Sequence, residues 1–311
     1  MLNATYYLIT VLIWGSTWLA IKFQLGVVSP ELSIAFRFVL AALLLFIFSA
    51  ARRLSMRFTW RQHAFIALQG FLLFSFNYYL VYLAETQLAS GLVAILYSML
   101  TITNVIFGAL FLRTPIRARV VIGSITGILG TILIFGPGLV SLDLSNGSSF
   151  AVILGSVSVI SASLGNIVSA RNQRHGLPVI QTNAFGMAYG AVFMLILAIY
   201  NGTPLYLDFS FSYVLSLFYL ALFGSVIAFG SYLTLLGRIG ADRAAYVTVL
   251  FPIIALVLST LFEGMTWSAA QFSGVALVLI GNLIVLTKIR GGRKVVTLPE
   301  EHDSASMPTT P

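Results

Sequence analysis

The sequence is divided into apolar runs of roughly twenty residues, separated by short stretches that hold charges or turn-forming residues. Asp, Glu, Lys and Arg make up only 8% of the 311 residues, whereas hydrophobic types make up 59%. A water-soluble surface with so few charges would expose large aggregating patches. Because a helix of about twenty residues crosses the hydrocarbon core of a bilayer, the pattern predicts an integral membrane protein.

Ten of these runs are long enough to cross a membrane, and each satisfies its own backbone hydrogen bonds as a helix. We therefore predict an all-α integral membrane protein whose spans lie at residues 4–24, 31–51, 62–83, 88–112, 118–137, 149–170, 178–200, 211–236, 241–262 and 268–288. The polar residues 291–311 are predicted to form a disordered cytosolic tail.

The basic residues indicate the orientation, because cytoplasmic loops accumulate Lys and Arg. All of the 17 basic residues except Lys22 and Arg37 fall in alternate connections, at the ends of the spans that border those connections, or after the last span. We therefore expect both termini in the cytoplasm. The opposite connections carry the carboxylates Glu31, Glu85, Asp143, Asp208 and Glu263.

Glycine spacing indicates an internal repeat. Gly123 and Gly130 in the fifth run recur as Gly274 and Gly281 in the tenth, 151 residues later. We predict a first five-helix repeat over residues 1–145 and a second over 146–290. Since five is odd, the second copy is inverted, and transporters built in this way bind substrate near the midplane where the repeats meet. The alternative is a duplicated membrane scaffold without a substrate.

Several short motifs occur in a fixed order along both halves: Trp14-Gly15-Ser16-Thr17, Ser29-Pro30, Ala35-Phe36-Arg37, Gly224-Ser225, Gly240-Ala241, Pro252 and Glu263. Together they make residues 5–287 resemble the EamA-type family of the drug/metabolite transporter superfamily. The resemblance implies a ten-helix bundle around a central cavity lined mainly by helices 1, 3, 4, 6, 8 and 9. Within the family, the aromatic-rich first and third runs are most similar to exporters of aromatic amino acids.

The first half departs from this family pattern. Thr101 stands where Pro252 would have its repeat mate, and Leu112 stands where Glu263 would. We therefore expect no mechanism that needs two symmetric proline hinges or two symmetric carboxylates.

Polar and aromatic residues at helical spacing identify candidate cavity positions. Asn77, Tyr78 and Tyr82 share one face of the third run. Tyr97 and Asn104 belong to a face of the fourth that is too polar for hydrocarbon. The candidate substrate-binding residues are Trp14, Trp18, Asn77, Tyr78, Tyr82, Tyr97, Ser98, Asn104, Ser163, Asn166, Ser225 and Tyr246. The alternatives are close helix packing and an interfacial aromatic belt.

Lys22 and Arg37 are the two basic residues within apolar runs, near the outer ends of the first and second. Charges there are costly and therefore informative. We assign both to a gate or to the steering of a substrate carboxylate. Snorkelling toward the interface is the alternative for each.

Several function classes are excluded. The chain lacks a Gly-rich phosphate loop, so ATP-driven pumping is not expected. With no cysteine, three scattered histidines and no carboxylate in mid-run, it offers neither an enzyme's general base nor a metal site nor the usual proton relay. We expect no cofactor and no nucleic-acid partner, because the basic residues form topology clusters rather than a stripe.

The sequence thus predicts a monomer in contact with lipids and a small-molecule substrate. Its predicted function is export of amino acids, aromatic and other neutral ones, and of related small amphiphilic metabolites by alternating access. We favour facilitated diffusion down an outward gradient, and the alternative is proton or ion coupling through backbone and hydroxyl groups. The alternatives are a multidrug or lipophilic-cation exporter, another metabolite exporter of the superfamily, and a non-transporting scaffold.

Overall fold

A computed structural model describes residues 2–113, 116, 118–139, 147–239 and 247–286, and all regular structure in these ranges is helical. The helices are α1 Leu2–Lys22, α2 Pro30–Ala51, α3 Trp60–Glu85, α4 Ser90–Leu112, α5 Ala118–Leu139, α6 Gly147–Arg174, α7 Val179–Tyr200, α8 Phe211–Ile239, α9 Val247–Phe262 and α10 Ala269–Leu286. Within α3, Leu72–Phe76 is π-helical, as is Tyr219–Ile227 within α8, and α4 is interrupted at Met99.

Seven of the described helices, namely α1 to α4 and α6 to α8, are long and apolar enough to cross a bilayer. The apolar parts of α5, α9 and α10 that are described are shorter than a full span. The prediction of an all-helical integral membrane protein is confirmed for the described residues. Ten spans remain a prediction, and the tail predicted at 291–311 lies outside the described residues.

Contacts between helix ends show that neighbouring helices alternate in direction. Lys22, at the end of α1, donates hydrogen bonds to carbonyl oxygens at the end of α3, and Thr203 after α7 donates to Glu31 at the start of α2. At the opposite end of the bundle, Arg174 donates to the carbonyl of Leu112. We name the first end, with Lys22 and the described carboxylates, the acidic end, and the second the basic end.

Equivalent glycines bring α5 and α10 together. A Cβ on Gly130 would lie 2.6 Å from the carbonyl oxygen of Gly274, and one on Gly281 would lie 2.6 Å from that of Gly123. The missing side chains therefore let the two backbones touch. Elsewhere α1 packs on α8 and α9, α6 packs on α3 and α4, α2 packs on α7, and α4 packs on α9.

The outward faces of these helices are apolar, as a lipid-facing surface requires. Leu129 and Ile132 on α5, Ile199 on α7 and Phe211 on α8 are all exposed. The interior carries many polar side chains, among them Arg37, Gln69 and Ser225. This inversion of the soluble pattern places the chemistry at the centre of the bundle.

Candidate functional site

A cavity of about 100 Å³ lies at the centre of the bundle. It has room for several waters or a small organic molecule. It is lined by Trp14, Thr17, Trp18, Ile21, Arg37, Leu73, Asn77, Tyr78, Val81, Tyr97, Leu100, Ala162, Asn166, Ser169, Asn183, Phe229, Tyr232, Thr248 and Phe251. These come from the six helices that the family resemblance implies, with α2 and α7 added through Arg37 and Asn183.

Aromatic rings form much of the cavity wall. Trp18 meets Tyr97 edge-on with ring centroids 4.8 Å apart and stacks on Phe251 at 6.0 Å. Trp14 lies 5.0 Å from Tyr232 and 5.1 Å from Phe229. Such edge and offset contacts hold rings in fixed orientations, so the wall presents ordered aromatic surfaces to a ligand.

The π-helical segments of α3 and α8 flank the cavity in the two halves. Each wider turn leaves carbonyl oxygens that neighbouring helices satisfy: Ser161 donates to Leu72 at 2.8 Å, and the Trp14 indole donates to Gly224 at 3.3 Å. Within α8, the Ser225 hydroxyl donates to Leu220, five residues earlier. π-Helical turns occur frequently at functional sites. Leu73 of the first segment lines the cavity, and Ser225 of the second accepts a hydrogen bond from Arg37, which also lines it.

Arg37 carries the charge in the cavity wall. Its side chain is buried, with only 1% of the residue exposed, so it does not snorkel to a surface. Nε donates to the Ser225 hydroxyl at 3.1 Å, Nη2 lies 3.5 Å from the Tyr78 hydroxyl, and the guanidinium carbon sits 4.5 Å from the centre of the Tyr78 ring. Nη1 has no acceptor among the described residues, and none of their carboxylates forms an ion pair with Arg37.

A buried guanidinium without a counter-ion is costly, because a charge in a low-dielectric interior needs an opposite charge or full hydrogen bonding. In this protein the guanidinium that lacks a described counter-ion lies at the wall of a cavity. Arg37 thus presents, at the cavity wall, a charged donor Nη1 that has no acceptor among the described residues.

The acidic end of the cavity is closed by a network around Lys22 and Glu263. Lys22 Nζ lies 3.6 Å from Glu263 Oε1 and donates to the carbonyl oxygens of Glu85 and Leu88. The Glu263 carboxylate accepts from the backbone N–H and the hydroxyl of Ser90, at the first turn of α4. One residue pair therefore joins α1, α3, α4 and α9.

Tyr82 and Gln24 add a second tie at the same end. The Tyr82 hydroxyl donates to Gln24 Oε1 at 2.6 Å, and both side chains are buried. Toward the basic end, the buried amides of Gln69, Asn172 and Asn183 form a chain of 3.1 Å hydrogen bonds that joins α3, α6 and α7. Polar networks thus bound the cavity along its length.

The structure places the predicted site residues in three groups. The first group lines the cavity and consists of Trp14, Trp18, Arg37, Asn77, Tyr78, Tyr97 and Asn166. In the second group, Ser225 accepts a hydrogen bond from Arg37, and Lys22 and Tyr82 form contacts between helix ends at the acidic end. Ser98 donates to its own helix at Ile95, and Ser163 donates to Asn104, so their polar groups serve helix packing. Tyr246 lies outside the described residues.

Sequence reasoning did not select several residues that the structure brings to the cavity. Phe229, Thr248, Phe251 and Asn183 line it, although none was among the candidates. Asn183 left a signal, since an amide within an apolar run is costly in lipid. Thr248 and Phe251 share one face at i, i+3 spacing, and that signal is weak in so apolar a helix.

A helical bundle that crosses the bilayer around an aromatic and polar cavity, tied shut at one end, has the architecture of a membrane transporter. The chain belongs to the EamA-like transporter family, whose model matches residues 1–136 and 149–287.

Curated relatives extend over nearly the whole chain. It is 28% identical over 300 residues to an uncharacterized inner membrane transporter, YedA, of Escherichia coli K12, covering 95% of this chain and 94% of YedA. It is 24% identical to the protein PagO of Salmonella typhimurium, covering 90% and 91%, and 25% identical to the uncharacterized transporter YvbV of Bacillus subtilis, covering 89% of each. A solved crystal structure with 17% identity shares the fold, with a TM-score of 0.66 over 91% of this chain and 96% of that one.

Proposed function

We propose that this protein exports amino acids, aromatic and other neutral ones, and related small amphiphilic metabolites across a bacterial inner membrane by alternating access. The family is one of transporters, and the relative from Escherichia coli is named an inner membrane transporter. In this proposal the acidic end faces away from the cytoplasm and both termini lie inside it, in keeping with the basic residues of the opposite end.

Arg37 is the observation that carries the choice of substrate. A carboxylate that enters the cavity would give the buried guanidinium its missing counter-charge and accept from Nη1. Hydrogen bonds of this kind are shorter and stronger than those between neutral groups. The substrate class that satisfies Arg37 is therefore one with a carboxylate.

The wall around Arg37 favours a substrate that also carries an apolar or aromatic group. Trp18, Tyr97 and Phe251 offer ring faces and edges, and Asn77 has an Oδ1 without a donor among the described residues. A ring against the aromatic residues, a carboxylate at Arg37 and an amine at Asn77 match the three groups of an aromatic amino acid.

Two inverted five-helix repeats, 1–145 and 146–290, form the proposed scaffold. The glycine contacts support it. In the proposed duplication Gly123 corresponds to Gly274 and Gly130 to Gly281, so the Gly130–Gly274 and Gly123–Gly281 contacts are equivalent, as in a two-fold symmetric interface. The π-helical segments occupy equivalent helices, and the two stretches matched by the family model meet near the proposed boundary. In transporters of this design, exchange of conformation between repeats moves access from one side to the other.

A lipophilic-cation exporter of the same family is the second candidate, favoured by the aromatic rings, which attract cations. The buried positive charge of Arg37 opposes it, because like charges in a low-dielectric site repel strongly. A non-transporting scaffold would have no reason to retain an unpaired guanidinium at a cavity wall.

Counterflow in proteoliposomes tests the proposal. Vesicles loaded with one unlabelled compound are given a labelled trace of the same compound, over a panel of aromatic, other neutral and cationic amino acids and lipophilic cations. We expect accumulation of the label for the aromatic and other neutral amino acids. Accumulation only for lipophilic cations would favour the second candidate, and no flux for any compound would support a scaffold.

A further inference from the structure

Glu85, the last residue of α3, has a carboxyl group that the mechanism above does not use. The residue is 0% exposed, and neither carboxyl oxygen accepts a hydrogen bond from the described residues. The sequence predicts this carboxylate in a connection facing water, whereas the structure buries it at the acidic end, four residues after Val81 of the cavity wall. A buried carboxylate without hydrogen bonds is far more costly when it is ionised than when it is protonated.

The charged and titratable groups around Glu85 come from α1, α2, α3, α4 and the residue after α9, and all of them except the Tyr97 hydroxyl have partners other than the Glu85 carboxyl. Lys22 of α1 is paired with Glu263 after α9 and donates to two carbonyl oxygens, one of them that of Glu85 itself. Arg37 of α2 is held by Ser225 and Tyr78. Tyr82 donates to Gln24, and Tyr97 lies on α4. Neither cation donates a hydrogen bond to the Glu85 carboxyl.

The closed acidic end is what keeps water from Glu85. Lys22, which pairs with Glu263, donates to the backbone carbonyl oxygen of Glu85. Tyr82, which donates to Gln24, precedes Glu85 by three residues in α3. When these ties open, water reaches the carboxyl and stabilises its ionised form. When they close, the carboxyl loses that hydration, and a bound proton removes the cost.

From this geometry we propose that Glu85 is a proton-binding site that couples closure of the acidic end to the uptake of one proton from the solution on that side. The proton joins one carboxylate oxygen as the end closes and returns to water as it opens, so no other reactant is needed. This inference rests on the proposed alternating access, and it adds a proton-dependent step to the facilitated diffusion expected from the sequence.

Distance measurements between two spin labels at the acidic end test the proposal. Because the chain has no cysteine, Thr86→Cys and Thr266→Cys, both at exposed positions, can be labelled specifically in the purified full-length protein. We expect two distances, a short one for the closed acidic end and a long one for the open end. The fraction of molecules with the short distance should increase as the pH falls. One coupled proton changes the ratio of the two populations by at most about tenfold per pH unit.

Substitutions identify the proton's site. Glu85→Gln mimics the protonated form, so its short distance should dominate at every pH, whereas Glu85→Asp keeps a titrating group and should retain the pH dependence. Glu31→Gln is the matched control, because Glu31 is buried at the same end but accepts from Thr203 at 2.7 Å. It should behave as the parent protein does.

Three results would overturn the proposal. Two distances whose ratio does not change with pH would refute the proton site and leave alternating access standing. A pH dependence that persists in Glu85→Gln would assign the proton to another group. A single distance under all conditions would contradict opening of the acidic end itself, and with it the proposed function.

Discussion

The two proposed repeats, residues 1–145 and 146–290, share helix-packing contacts but not charges. Gly123 and Gly130 meet Gly281 and Gly274 through equivalent contacts, and each half has a π-helical segment beside the cavity. The charged residues have no such counterparts. At the same 151-residue offset, Arg37 corresponds to Ala188, which is half-buried and apolar, and Glu263 corresponds to Leu112.

This difference separates what holds the bundle together from what gives it chemistry. Helix packing depends on backbone approach, which equivalent glycines allow in both proposed repeats. Lys22 and Glu263 meet at the acidic end, and Arg37 lies in the wall of the cavity. The asymmetry predicts that substitutions at equivalent packing positions reduce the stability of the fold by similar amounts. Substitutions at a charged position and at its counterpart in the other repeat should have different effects.

The largest expected effect follows from removing the unmatched charge in the cavity. Arg37→Gln should weaken the binding of a carboxylate substrate by about 1.5–3 kcal/mol, or roughly 10- to 150-fold, because a charge-assisted hydrogen bond is lost. Ligand-induced thermal stabilisation of the purified protein measures it. Arg52→Gln, at an exposed position, is the control and should bind as the parent does. Equal binding by both variants would remove Arg37 from the site.

The shared scaffold predicts a matched pair of stability losses. Gly130→Ala and Gly281→Ala each place a Cβ 2.6 Å from a backbone carbonyl oxygen, so each should destabilise the fold by about 1–3 kcal/mol. Thermal unfolding of the two variants should show a similar fall in Tm. Gly230→Ala, whose Cβ would meet no atom within 4 Å, should leave Tm unchanged or slightly raised. A large loss in one variant alone would argue against equivalent halves.

A smaller effect is expected from breaking the Lys22–Glu263 ion pair at the acidic end. Glu263→Gln keeps a hydrogen-bond acceptor for Ser90 but loses the ion pair with Lys22. The open population of the acidic end should rise about fivefold, which corresponds to about 1 kcal/mol. The spin-label pair at Thr86 and Thr266 reports it, with Asp208→Asn as a control at the same end. An unchanged ratio would show that the ion pair does not hold the gate.

The smallest effect comes from giving the first half the missing carboxylate. Leu112→Glu places an acid beside Arg174, which already donates to the carbonyl of Leu112 at 3.3 Å. A partly exposed pair contributes only about 0.2–1 kcal/mol, so the population with a closed basic end should rise by less than about fivefold. Leu112→Gln controls for size. If the gain is as large in Leu112→Gln, charge is not its cause.

Much of this fold is readable from the sequence because lipid imposes simple rules on it. The span predicted at 31–51 is α2 at Pro30–Ala51, and that predicted at 178–200 is α7 at Val179–Tyr200. Hydrophobic length and the need to satisfy each backbone group within the helix determine these boundaries. The π-helical segments were not predicted, because their widened turns depend on partners such as Ser161 and Trp14 from other helices.

The site was less predictable than the fold. Aromatic and amide residues at helical spacing located Trp18, Asn77 and Tyr97, which line the cavity. Glu263 lies in a connection, as predicted, whereas Glu85, also predicted in a connection, is the buried last residue of α3, because local sequence reports polarity and not burial. Lys22 meets Glu263 across 241 positions of the chain, a distance at which composition and periodicity carry no information.

The location of a bound substrate tests the central claim most directly. A structure of the protein with an aromatic amino acid, determined in a lipid nanodisc, should show the ligand in the central cavity, with its carboxylate on Arg37 and its ring among Trp18, Tyr97 and Phe251. Ligand density elsewhere in the bundle, or a cavity that stays free of ligand at saturating concentration, would contradict the account.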